Sequence, residues 1–411
     1  MTQPEGNQAH DRIRLRRDQQ QWALDKVIKD TGRVFHFQHP GRGKFPESVR
    51  MHKMISKHMG KSARRLERLA AEEAAAGHDA TALDLYFDAA IAYADAQHPI
   101  FVNNDEKRML HASSLRCFDQ VRARAPYTIE HVDVPWRDTV VSGNLHLAPV
   151  EGPAPCVFFI PGCDMTKETV LHPHFNYGAQ RGMHVFVFDG PGQGESNLRG
   201  IPLTTDNYED AASAALSWLL EQPEIDGDRL GLLAMSFGSY WGARFAATDH
   251  RLAAAALPWA SVCDKYYLME VESPRYKQLF SYLTQAKDED ELDRFVEEMD
   301  VLSMASDIQC PVLLSVGEYD PRSPLEEVYE FFDRIQAPAE LWVYADQHHT
   351  ASLAGGGMSS WKRDIYPTSF DWLQDRMSGR DMTNEGQVVY LESSGGGPNA
   401  PDASHRRHWF E

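Results

Sequence analysis

The chain has 411 residues, 42% of them hydrophobic and 25% charged, with a formal net charge of −19. That is the composition of a folded globular protein with room for one large domain and a second module, not of a disordered or fibrous chain. The acid excess argues against general affinity for nucleic acid, and the longest apolar run, 252–260, contains Pro258 and is far too short to span a membrane.

The N-terminal MTQPEGNQAHDRIRLRR lacks the apolar stretch of a secretory signal. Five cysteines, at positions 117, 156, 163, 263 and 310, follow no disulfide-framework spacing, so reduced thiols in a cytoplasmic protein are expected. Charge is uneven: residues 1–70 hold 16 Lys and Arg against 7 Asp and Glu. Such a basic arm could meet an anionic partner. The plainer reading is that it packs on its own acidic body or on a second subunit, and a homodimer is the expected assembly.

Residues 1–128 read as a helical domain. The stretch 62–76 (SARRLERLAAEEAAA) is rich in strong helix formers. The stretch 80–96 repeats apolar residues at three- and four-residue steps, with aromatics at Tyr86, Phe87 and Tyr93. A further helix is expected over 107–121. Residues 33–46, with His36, His39 and two glycines, read as loop; no ligand spacing there supports a metal.

Near Pro126 the pattern changes. Residues 128–136 and 140–147 alternate like an antiparallel strand pair. Short apolar strands then alternate with helical segments: 156–160, 184–188, 230–234, 252–257, 312–316 and 341–344. This predicts an α/β fold, a mostly parallel sheet covered by helices on both faces, over 129–377. The charged stretch 263–306 reads as a helical insertion over the C-terminal strand ends, where pockets form. From 378 the chain, with SSGGGPNAP, reads as a mobile tail.

The chemistry centres on LGLLAMSFGSY, 230–240. An apolar strand runs into Ser236, small residues (Ala234 and Gly238) flank it two positions away, and a helix follows from about 239. This is a nucleophile elbow, with Ala234 where glycine is usual. Serine needs a base, and the base an orienting group. In this topology the order is Ser, then an acid, then His. Asp320 follows the strand 312–316 and Gly317, and His348 and His349 follow the strand 341–344. Asp320 is preferred over Glu318 and Asp346, and His349 over His348. The turn PGCD after 156–160 would supply the N–H of Cys163, pairing with that of Phe237 as an oxyanion hole. DGPGQGES, 189–196, has neither GxGxxG nor GK[ST], so it reads as a structural turn and not a phosphate cradle. No metal and no cofactor are expected.

DGPGQGES, AMSFG, GEYD and DQHH together resemble the α/β-hydrolase superfamily over 130–377. PGCDMTKE and LYFDAAIAYADAQHPIF resemble its branch with an N-terminal helical domain, which includes 2,6-dihydroxypseudooxynicotine hydrolase and fungal polyketide hydrolases of pigment pathways. The resemblance implies a helical cap over the site. It also implies a cofactor-independent serine hydrolase acting on a small carbonyl-bearing molecule, an aromatic ketone or a polyketide-like compound, by C–C or ester hydrolysis. An acyltransferase or thioesterase using the same three residues, or an inactive binding protein on the same fold, are the competing readings.

Overall fold

The structure is a computed structural model and describes residues 54–263, 265, 267–271, 275–345, 347, 349 and 358–391. The loop 33–46, most of the basic arm, Asp346 and His348 lie outside them. Three helices open the described chain: α1 (Ile55–Ala75), α2 (Asp79–Gln97) and α3 (Asp105–Arg124). The side chain of Asn104 caps α3 by accepting the N–H of Lys107. Asp105 and Glu106 occupy its first turn, Arg122 and Arg124 its last, each suited to the helix dipole. The expected stripe on α2 becomes a core of its own, with Leu83, Phe87 and Tyr93 packed on Ala63, Ala70 and Phe118.

Among the described residues nine strands form one sheet, in the order β1-β2-β4-β3-β5-β6-β7-β8-β9. β1 (Ile129–Trp136) and β2 (Thr139–His146) are the antiparallel pair. β2 runs antiparallel to β4 (His184–Asp189). From β4 onward the neighbours are parallel: β3 (Ala154–Ile160), β5 (Ile225–Ala234), β6 (Ala254–Pro258), β7 (Val312–Gly317), β8 (Ala339–Tyr344) and β9 (Val388–Leu391).

The unbroken apolar runs follow from two-sided burial. Phe158, Phe186 and Phe188 point into one core, with α5 (Asn207–Leu220), α6 (Gly238–Thr248) and α9 (Leu325–Arg334). Their neighbours Val157, Phe159, Val185 and Val187 point into the other, beneath α10 (Met358–Met377). Successive strand residues face opposite ways, so a strand covered on both sides cannot alternate polar and apolar. The stretch 263–306 carries α7 (Arg275–Thr284), α8 (Glu289–Glu297) and a 3-10 turn, Leu302–Asp307.

The helical unit is fastened to the sheet domain by polar contacts. Asn103 donates to Asn197 Oδ1 at 2.9 Å and accepts from Tyr282 Oη at 2.7 Å. Arg108 donates to the carbonyl of Leu198, the last residue of α4 (Gly194–Leu198), at 3.0 Å.

The expectation of a tail from 378 is corrected over 378–391. Gly386 donates its N–H to Ala339 O at 2.7 Å, and β9 then covers the edge of β8. Tyr390 is 1% exposed and its hydroxyl lies 2.7 Å from that of Tyr329. Four residues beside a glycine-rich run carry too little apolar signal to announce a strand. Tyr390→Ala should therefore cost about 3 kcal/mol of stability, the usual scale for emptying a buried aromatic site. Urea denaturation checks this, and an unchanged midpoint would show that β9 does not support the sheet.

Candidate active site

Adjacent strands of a parallel sheet end at one edge. The last residues of β3, β5, β6, β7 and β8 bring the following loops together there. Ser236 stands just past β5 with φ of 55°, in the left-handed region. The turn is held from both sides: Ser236 donates its N–H to Pro258 O at 2.9 Å, and Met235 to Ile160 O at 3.1 Å. Such backbone costs about 1–3 kcal/mol and persists only where surroundings impose it.

The flanking residues show why small side chains are needed. A Cβ on Gly238 would lie 2.5 Å from Pro161 O. The departure at Ala234 is answered on the facing helix: a Cβ on Gly242 would lie 2.4 Å from Ala234 Cβ. The glycine usual before the serine has in effect moved across the interface, from β5 to α6.

The structure brings Ser236, His349 and Asp320 into one chain. Ser236 Oγ is 2.7 Å from His349 Nε2, and His349 Nδ1 is 2.6 Å from Asp320 Oδ2. His349 is 7% and Asp320 3% exposed. The second oxygen of Asp320 accepts the N–H of Arg322 at 3.0 Å. Tyr319 donates its N–H to Gln347 O at 2.8 Å, tying the two loops that carry the acid and the histidine. The carboxylate at the imidazole is that of Asp320, not Glu318. A serine, imidazole and carboxylate so linked can move a proton from hydroxyl to ring while the carboxylate fixes the tautomer.

Beside this chain runs the turn after β3. A Cβ on Gly162 would lie 3.7 Å from Ser236 Oγ, so the next peptide, that of Cys163, borders the serine. Among the described residues the N–H groups of Cys163 and Phe237 make no backbone hydrogen bond. Burial pushes the Cys163 thiol far above its ordinary range, so its backbone is the useful part. All five cysteines are free and buried.

The glycine-rich turn does more than reverse the chain. Gln193 Nε2 donates to Gly162 O at 3.0 Å, and Tyr208 Oη donates to Gln193 Oε1 at 2.6 Å. Tyr208 is stacked on Trp241 at 4.2 Å. Gln193 thereby braces the Cys163 turn, a role for which the only sequence signal was its place between glycines. Behind it Lys167, fully buried, sits 2.5 Å from Glu168, 2.5 Å from Glu195 and 3.5 Å from Asp189. Burial alone would lower its pKa, but these carboxylates outweigh it and hold the ammonium charged. Burial pushes Asp189 up to about 7 despite Lys167.

A cleft opens beside Cys163, walled by α2, α3, α7 and the turns after β3 and β4. Gln97, Lys107, Thr166, Gln193 and Tyr282 line it. It reaches the site at Cys163 and does not include Ser236 in its lining. Away from it, Asp84, His172 and His174 place three ligand-type atoms within 4.8 Å of one another. His172 Nδ1 accepts the N–H of His174 at 3.2 Å, so the ring proton belongs on Nε2, 3.2 Å from Asp84. That ring donates to the carboxylate and offers no lone pair to a metal. The trio is better read as a clasp between α2 and the 172–174 loop.

A family model described as esterase FrsA-like matches residues 64–328. The chain is 28% identical over 320 residues to 2,6-dihydropseudooxynicotine hydrolase of Paenarthrobacter nicotinovorans, covering 73% of this chain and 81% of that one. It is 32% identical over 232 residues to the alpha/beta hydrolase xenA of Xenoacremonium sinensis, 53% of each chain, and so spans about half of that relative's length. A crystal structure of 2,6-dihydroxy-pseudo-oxynicotine hydrolase superimposes with a TM-score of 0.70 at 24% identity, covering 87% of this chain and 94% of that one. The fold is that of the α/β hydrolases.

Gly242→Ala should destabilise the protein by about 1–3 kcal/mol through overpacking against Ala234. Adding Ala234→Gly should recover most of the loss. Denaturation of both single variants and the double closes the cycle; additive losses would mean that the two positions do not share one space.

Proposed function

Because the chain belongs to the FrsA-like esterase family, we propose that it is a serine hydrolase whose triad is Ser236, His349 and Asp320. Its substrate is a small carbonyl-bearing molecule, an aromatic ketone or polyketide-like compound. The observation that carries the reading is the unbroken hydrogen-bond chain, 2.7 Å from serine to imidazole and 2.6 Å from imidazole to carboxylate. The broader assignment, an α/β hydrolase of the esterase or C–C hydrolase type, does not depend on it. A relative named for hydrolysing 2,6-dihydropseudooxynicotine supports the substrate class.

In this mechanism Ser236 Oγ attacks the substrate carbonyl carbon as its proton passes to His349 Nε2. The carbonyl π pair moves to oxygen, where the N–H groups of Cys163 and Phe237 receive it. Collapse re-forms the C=O and breaks the bond to the leaving group. That group, an alkoxide or a carbanion, takes the proton from the imidazolium. Water then repeats the sequence on the acyl-serine and returns Ser236 to its starting form. Asp320 fixes the ring's tautomer and stabilises the imidazolium. The helical unit, through α2 and α3, serves as the cap that walls the substrate cleft. No metal enters any step.

A fluorophosphonate probe should label the wild type and not Ser236→Ala. Turnover of a responsive ester or β-diketone should fall by roughly 10³-fold or more in Ser236→Ala and His349→Ala. Asp320→Asn should keep substrate affinity and lower kcat by up to about 10⁴-fold. Normal kcat in Asp320→Asn with a collapse in Glu318→Gln would move the acid to Glu318. EDTA should leave turnover unchanged; a loss restored by Zn²⁺ would defeat the mechanism.

A further inference from the structure

Lys107, on the first turn of α3, lines the cleft beside Cys163 yet is only 5% exposed. Its Nζ donates to Ile100 O at 2.8 Å and to Gln97 O at 3.3 Å, where the chain leaves α2. It also lies 4.3 Å from the centre of the Tyr282 ring. Two carbonyl dipoles and an aromatic face position an ammonium but do not neutralise it.

Lys167 shows what neutralisation looks like in this protein: three carboxylates surround it. Lys107 has no carboxylate among its partners in the described residues. Burial without an anion pushes its ammonium down to about 7, so an anion arriving at Nζ would remove a standing penalty. Gln97, Thr166, Thr169 and Gln193 add polar groups to a lining that also holds the apolar Ala94, Met165, Leu279 and Leu283. Asp95 and Asp164 also border the cleft, and Arg275 faces Asp164 at 3.8 Å. A brace for the end of α2 would explain the two carbonyl contacts. It would not explain why a buried cation lines a cleft that reaches the Cys163 turn.

Resting on the serine-hydrolase reading above, we infer that Lys107 binds an anionic oxygen of the substrate, a carboxylate or an enolate, set apart from the carbonyl that Ser236 attacks. The cleft thus selects molecules with two oxygen functions, one electrophilic and one acidic. The leading class is an enolisable polyketone or a keto acid.

The test compares the rates at which Ser236 is labelled by two fluorophosphonates, one with a neutral alkyl chain and one with an ω-carboxyalkyl chain. The ratio of the carboxylate probe's rate to the neutral probe's should fall by at least about tenfold in Lys107→Met, the scale of one charge-assisted hydrogen bond. Lys107→Gln, which keeps a donor without the charge, should fall similarly, and Lys107→Arg should hold the ratio. Protection from labelling by glutarate against protection by the enolate of 1,3-cyclohexanedione separates the two sources of anion. A ratio that ignores all three substitutions overturns the inference and leaves the hydrolase reading standing. Failure of Ser236 to react with either probe overturns both.

Discussion

The site depends on one backbone conformation. Ser236 sits at φ of 55° because β5 must end and α6 begin with only three residues between them. Everything near it is arranged to make that affordable. Pro258 and Ile160, the last residues of the flanking strands, accept the N–H groups of Ser236 and Met235. Glycines at 238 and 242 let α6 lie against β3 and β5. Hydrogen-bonded neighbours, not an intrinsic preference of serine, hold the residue in a region L side chains rarely enter.

Two buried lysines show how the same group is handled in opposite ways. Lys167 is deep behind the Cys163 turn and is surrounded by Glu168, Asp189 and Glu195, which also link the segment after β3 to the turn after β4. An ion cluster so placed stiffens the turn that carries Cys163. Among the described residues Lys107 instead receives only carbonyl and aromatic partners, and it borders the cleft. Desolvation is tolerable for the first because counter-charges are built in. For the second it leaves a cost that loss of the proton or the arrival of an anion would remove.

The helical unit has its own apolar core, and polar contacts at Asn103 and Arg108 hold it to the sheet domain. This division suits a cleft whose walls come from both parts. α2 and α3 supply Gln97 and Lys107, α7 supplies Tyr282, and the strand-end turns supply Thr166 and Gln193. On the reading proposed above, substrate selection could change on the helical wall without disturbing the strand ends that hold Ser236.

Much of this was legible in the linear chain. Apolar runs separated by helical stretches imply two-sided burial, and that pattern is local. So is the elbow, because a strand, a serine between small residues and a helix all lie within a dozen positions. The order of serine, acid and histidine after three strands was equally visible. Among neighbours the sequence supported a preference, for Asp320 and His349, but not the contacts behind it. His349 meets Ser236 across 113 positions, and Asp320 meets His349 across 29; side-chain direction at a loop end is set by the loops' mutual hydrogen bonds, not by spacing. β9 was missed because four residues carry little periodicity until an edge strand receives them. Gln193 and Lys107 were missed because each donates to backbone carbonyls. A carbonyl has the same chemistry at every residue, so only the tertiary structure decides which one a side chain will find.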